Sequence, residues 1–155
     1  MPSPPVFPSQ PGEFLAALAT IMPVGTPVVN VLIQKGLSSL AGTFPVLILN
    51  CPINDWKRKA NHAKQNIFTI HGLYLDRWET DTRTFEQILA DMSTALGTMS
   101  DNVNANYTLG MGPSVTAGEK GSIRINGPVN TQEIGVPLVS GEITIEVKGP
   151  WYIAT

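Results

Sequence analysis

The chain has 155 residues, a formal net charge of −2, and 14% charged against 43% hydrophobic residues. That length suits one domain that buries roughly 68% of its unfolded surface in a single core, and one cysteine, Cys51, excludes an intramolecular disulfide framework. No apolar run reaches the length of a spanning helix, and the opening MPSPPVFPSQPGEF lacks the basic region of a secretory leader.

Residues 1–11 hold five prolines. Proline fixes φ and restricts the residue before it, so a flexible, extended, non-helical arm is expected there, free or laid on a neighbouring surface. GEFLAALATIM (12–22) places Phe14, Leu15, Leu18, Ile21 and Met22 on one helical face, and Pro23 ends it. Residues 26–42 are ambiguous. Val29, Leu32, Ile33 and Leu37 fit a helix, while β-branching and Gly36 oppose it. FPVLILN (44–50) reads as a strand covered on both faces. A variable basic loop is expected over 51–65, then a second strand over 66–78.

The clearest element is TDTRTFEQILADMSTALGTM (80–99). Phe85, Ile88, Leu89, Met92, Leu96 and Met99 form an amphipathic stripe, and Asp81 or Thr82 can cap its start. Residues 101–122 are turn-rich and predict a long loop or hairpin. SIRING and EIGVPLV are short strand candidates. GEITIEVKG (141–149) alternates Ile143, Ile145 and Val147 with Thr144, Glu146 and Lys148, the pattern of a half-buried strand. The whole reads as one α+β domain over 12–155, a sheet with helices packed on it. The low charge content fits a surface partly covered in an assembly.

Catalytic and metal chemistry find little support. His62 and His71 are nine residues apart, with Cys51 eleven before His62, and the three fall on different predicted elements. In GPSVTAGEKGS, Glu119 and Gly121 flank Lys120 where a phosphate loop needs Gly and Ser or Thr. Ser38, Ser39 and Ser114 lack a nucleophile elbow. Asp76, Glu79 and Asp81 lie at a strand–helix junction, where capping is the simpler role. No catalytic residue, cofactor or metal is therefore expected.

The segment NCPINDWKRKANHAK (50–64) is the one dense basic run, with Lys57, Arg58, Lys59 and Lys64 near Asp55 and Trp56. It admits three readings: a solvated loop, a charged protein–protein contact, or contact with nucleic acid. An acidic stretch follows, carrying Asp76, Glu79, Asp81, Glu86, Asp91 and Asp101 against Arg77 and Arg83. Opposite patches suit a heterologous interface, in which two different surfaces of each subunit meet.

The segment order over 44–99 (Pro-led strand, polar insertion, longer strand, amphipathic helix) resembles the central part of the tail-terminator proteins of long-tailed bacteriophages, also called tail-completion or head–tail joining proteins. The upstream FLAALATIM and closing GEITIEVKG fit the same plan, so the resemblance covers most of 12–149. It implies a mixed or mainly antiparallel sheet flanked by an N-terminal helix and a central amphipathic helix. It implies a non-enzymatic virion protein, made in the host cytoplasm, that forms a ring of six at the head-proximal end of the tail tube. Such a ring stops tube polymerisation and meets the head connector, and DNA passes through it unread. Asp55, Trp56, Lys57, Arg58 and Lys59 then become candidates for contact with a sister subunit, the tube protein or the connector. Lys64, Glu79, Asp81, Glu86 and Asp91 join them on charge, while Phe85, Ile88, Leu89, Met92 and Leu96 pack the helix. Another neck or tail-tube subunit, or a small nucleic-acid-binding adaptor, is the alternative.

Overall fold

A computed structural model describes residues 12–33, 44–58, 63–78, 82–112, 114–121, 123–130 and 137–153. The expected arm at 1–11 and the second half of the ambiguous 26–42 segment lie outside them. Within them the chain is α+β, as its pattern implies. Helix α1 (Gly12–Ile21) and strand β1 (Asn30–Ile33) are followed by two long strands, β2 (Val46–Arg58) and β3 (Ala63–Arg77). Helix α2 (Phe85–Ala105) comes next, then β4 (Thr116–Glu119), β5 (Arg124–Asn130), β6 (Pro137–Lys148) and β7 (Tyr152–Ile153). The strands make one seven-stranded sheet ordered β1-β2-β3-β6-β4, with β5 also on β6 and β7 on β3. β1 runs parallel to β2, and every other pairing is antiparallel.

The outer edge of β6 is shared. β4 pairs with Ile145–Lys148 and β5 with Pro137–Glu142. Both helices cover one face of the sheet. Phe14, Leu15 and Leu18 of α1 and Ile88, Met92, Leu96, Met99 and Val103 of α2 bury themselves against Leu47, Leu49, Phe68, Ile70, Ile143, Ile145 and Val147. A fully buried side chain of this kind contributes about 1.5–3 kcal/mol, so α2 is held mainly by its apolar stripe. Gly141 allows the close approach, since a methyl there would stand 2.5 Å from Leu96 Cδ1. On the opposite face a smaller cluster gathers Val46, Ile48, Leu75 and Leu138. The two helices are joined where Asn102 Nδ2 donates to the Met22 and Val24 carbonyls at 2.9 and 2.7 Å, taking up acceptors that the end of α1 leaves open.

Four boundaries differ from expectation. The ambiguous segment is a strand at 30–33, where β-branched Val31 and Ile33 alternate along β1. The basic segment is not a loop over 51–65. β2 continues through it to Arg58, and β3 begins at Ala63. Pro52 marks the irregularity, since the register shifts between Asn50 and Ile53 where a proline has no N–H to give. Helix α2 starts later and ends later than 80–99. Thr84 caps it, not Asp81 or Thr82, with Thr84 Oγ1 accepting from Gln87 N and Gln87 Oε1 accepting from Thr84 N. Gly97 does not end the helix, which runs to Ala105 and takes the first residues of the expected 101–122 loop. Of the rest of that loop, the described residues form a turn with positive φ at Leu109, Gly110 and Gly112, and then β4.

Candidate functional site

The basic run occupies the far end of the β2–β3 hairpin. Its register pairs Asp55 with Ile67, Trp56 with Asn66, Lys57 with Gln65 and Arg58 with Lys64. Asp55, Trp56, Lys57 and Arg58 are placed by this backbone register alone. Lys59 and His62 lie outside the described residues. The root of the hairpin is tied to the end of β6. Gln65 Nε2 donates to the Gly149 carbonyl at 2.8 Å, and Gly149 N donates to the Asn66 carbonyl at 3.0 Å. β7 pairs with Ala63 and Lys64 beyond that point. Among the described residues three cations, Lys57, Arg58 and Lys64, and one anion, Asp55, therefore share one end of β3.

Among the described residues Asp76, Glu86 and Asp91 lie toward the other end, while Asp101 sits near the end of α2. Arg83 holds two of them: Nη1 bonds Asp91 Oδ2 at 3.0 Å, and Nη2 reaches Asp76 Oδ2 at 3.4 Å and the Arg77 carbonyl at 3.1 Å. Burial works against this guanidinium. The hydrogen bond to Asp91 and the nearby Asp76 outweigh it and hold the Arg83 pKa above its ordinary value. Tyr74, fully buried beneath the cluster, has its phenol pushed well up by burial and by Asp76. Asp91 is thus an exposed carboxylate already bound within its own chain, whereas Glu86 is exposed on the first turn of α2. Glu79 and Asp81 lie outside the described residues. β3 spans fifteen residues, so at about 3.3 Å per residue the two charged ends stand roughly 45 Å apart.

Of the five residues expected to pack α2, Ile88, Met92 and Leu96 are buried and Leu89 is half-buried. Phe85 departs from that expectation: it is 50% exposed. It opens the helix at the sheet's end, beyond the core rows, and meets Trp78 edge-on with ring centroids 5.1 Å apart. Trp78 in turn lies over Gly127 of β5, where an added methyl would stand 3.2 Å from the indole.

The described residues weighed for other chemistry stay dispersed, and Ser38 and Ser39 lie outside them. His71 is exposed on the sheet face opposite the helices, where Asn50, Leu73, Glu142 and Thr144 line a depression of about 250 Å³ with it. Cys51 is half-buried against the core. Lys120 is engaged by Glu146 at 3.0 Å, and Lys148 reaches the same carboxylate at 3.5 Å. The Lys120 hydrogen bond leads in holding Glu146 below the usual carboxylate range. Among the described residues no group of three or more His, Cys, Asp or Glu side chains is placed to hold a metal ion. The strand alternation already sets Glu146 and Lys148 on one face, whereas the Arg83 clamp and the approach of Lys120 to Glu146 depend on a turn and the sheet register. No protein-family model and no curated protein matches this chain.

Proposed function

We propose that the chain is a structural subunit of a long-tailed phage virion. It assembles into a ring at the head-proximal end of the tail tube, ends tube polymerisation, and offers the surface on which the head is joined. The observation that carries this reading is the placement of opposite charge at the two ends of β3. Lys57, Arg58 and Lys64 stand at the hairpin end, and Asp76, Glu86 and Asp91 stand at the α2 end with Arg77 and Arg83 among them. Two unlike, complementary patches at opposite ends of one subunit favour head-to-tail contact, which closes into a ring when the rotation per step allows it. Electrostatic complementarity of this kind sets register and speeds encounter more than it sets affinity. The α+β sheet with helices on one face, and the segment order over 44–99, support the same family of assemblies. In this reading the tube protein and the head connector are the other partners, and DNA crosses the ring without sequence reading.

Electron microscopy of virus particles lacking the protein tests the function. Tubes of uncontrolled length that fail to join heads are expected, and normal tubes joined to heads overturn the reading. Reversing Lys57, Arg58 and Lys59 to Glu tests the interface separately. Oligomer mass should fall, and should recover on mixing with a chain carrying Glu86→Lys and Asp76→Lys.

A further inference from the structure

The Trp78–Phe85 pair forms an aromatic shelf at the acidic end: Trp78 is half-buried against the core, and the charge pattern gives no role to the exposed Phe85 ring that packs on it. Phe85 leaves half its surface in water, and Trp78 rests on the bare backbone of Gly127. The proline-rich residues 1–11 are a second feature without a role. They carry Pro2, Pro4, Pro5, Pro8 and Pro11 around Val6 and Phe7, with no charged side chain. Proline-rich segments dock on aromatic surfaces because their extended left-handed helix is already formed and loses little entropy on binding.

We infer that residues 1–11 of one copy dock on the Trp78–Phe85 shelf of the next copy; this rests on the head-to-tail reading above. Two measurements direct the arm to a neighbour. Helix α1 begins beside Phe68, since the Phe14 and Phe68 rings meet at a tilt with centroids 5.1 Å apart. Phe68 lies ten residues before Trp78, about 33 Å along β3. An extended proline helix rises about 3.1 Å per residue, so Pro8 reaches about 12 Å from Gly12 and Pro4 about 25 Å. Pro4, Pro5 and Pro8, which flank Phe7, fall short of their own shelf, and only Pro2, about 31 Å out at full extension, approaches it. The arm nevertheless leaves the molecule near the basic end, and head-to-tail contact brings that end to the acidic end of a second copy. There the arm meets the neighbour's shelf, adding apolar contact to an interface otherwise made of charge.

The test replaces Phe7 in the full chain with a photo-crosslinking phenylalanine analogue and mixes nitrogen-15-labelled with unlabelled protein. Crosslinked peptides are then identified by mass. Crosslinks to the peptides containing Trp78 or Phe85, half of them joining heavy to light chains, are expected. Phe85→Ala and the triple change Pro4→Ala, Pro5→Ala, Pro8→Ala should each lower their yield about tenfold, the effect of losing roughly 1.4 kcal/mol of contact. Phe85 is exposed, so its replacement leaves the fold intact, which circular dichroism checks. Crosslinks confined to single chains, or mapping away from Trp78 and Phe85, overturn the inference. If oligomers still form in that case, the ring reading stands while the arm's role fails. If charge reversal leaves oligomer mass unchanged while the shelf crosslink persists, the charge-driven reading fails and the arm contact stands.

Discussion

Gly141→Ala tests whether α2 and β6 approach as closely as the core requires. The added methyl would stand 2.5 Å from Leu96 Cδ1, 3.2 Å from Met92 Cε and 3.3 Å from Leu96 Cγ. Carbon atoms rest about 3.5–4.0 Å apart, so Leu96 must retreat by roughly 1 Å. It has nowhere open to go, since Leu96 is 0% and Met92 1% exposed. Overpacking of this kind costs about 1–3 kcal/mol. In a chain of this size each kcal/mol lowers Tm by about 2–4 °C, so the melt should fall by about 2–12 °C. Leu96→Ala alone should cost about 2–5 kcal/mol through the cavity it leaves. In the double variant the Gly141 methyl enters that cavity. The combined loss should therefore be smaller than the sum by about 0.5–3 kcal/mol. Urea unfolding followed by far-UV circular dichroism measures all four proteins. Additive losses, or a Gly141→Ala melt that matches the unsubstituted chain, would refute the packing argument.

Three further outcomes are expected. Thr84→Ala removes the hydroxyl half of the capping box, leaving the backbone N–H that donates to Gln87 Oε1, and should cost about 1 kcal/mol, with faster amide exchange confined to the first turn of α2. Gly97→Ala should stabilise by about 0.5–1 kcal/mol, because the position is helical and an added methyl meets nothing within 4 Å; a lower urea midpoint would contradict this. The Glu146 carboxyl pKa is lowered, chiefly by Lys120. Its contribution is present above the unfolded value of about 4.3 and is lost as pH falls through the lower folded value. Lys120→Gln should flatten that acid limb, read as urea midpoints in a series of buffers running down from pH about 5.

The parts of the fold legible in the sequence are those where one periodicity acts alone. The three- and four-residue stripe of Ile88, Met92, Leu96 and Met99 and the alternation of Ile143, Ile145 and Val147 both survive as buried faces. Misreading began where local chemistry competed with pairing. Pro52 and the charges after it look like a loop, yet β3 supplies partners for β2 as far as Arg58. At the start of α2 three capping residues stand close together. The deciding signal, Gln87 three positions after Thr84, was present but was outweighed by the acids before it. Phe85 has helical spacing, but it packs on the half-buried Trp78 ring and stays half exposed, which only the tertiary arrangement reveals. For the candidate interface, the signs of the patches were readable, whereas their separation along β3 required the register.

The pairing of β3 with β6 has a consequence for synthesis. β2 and β3 are adjacent in sequence and close locally, but the nearest register pair between β3 and β6, Arg77 with Leu138, is separated by 61 positions. At about 5–20 residues per second a ribosome needs roughly 3–12 s to make that stretch. Throughout that interval the hairpin exists with the far edge of β3 bare, and Phe68, Ile70 and Tyr74 await the strand and helix that will bury them. A nascent chain with an open, apolar strand edge is an invitation to pair with its neighbours on the same message. The basic tip at Lys57, Arg58 and Lys64 would hold like tips apart while the edge waits.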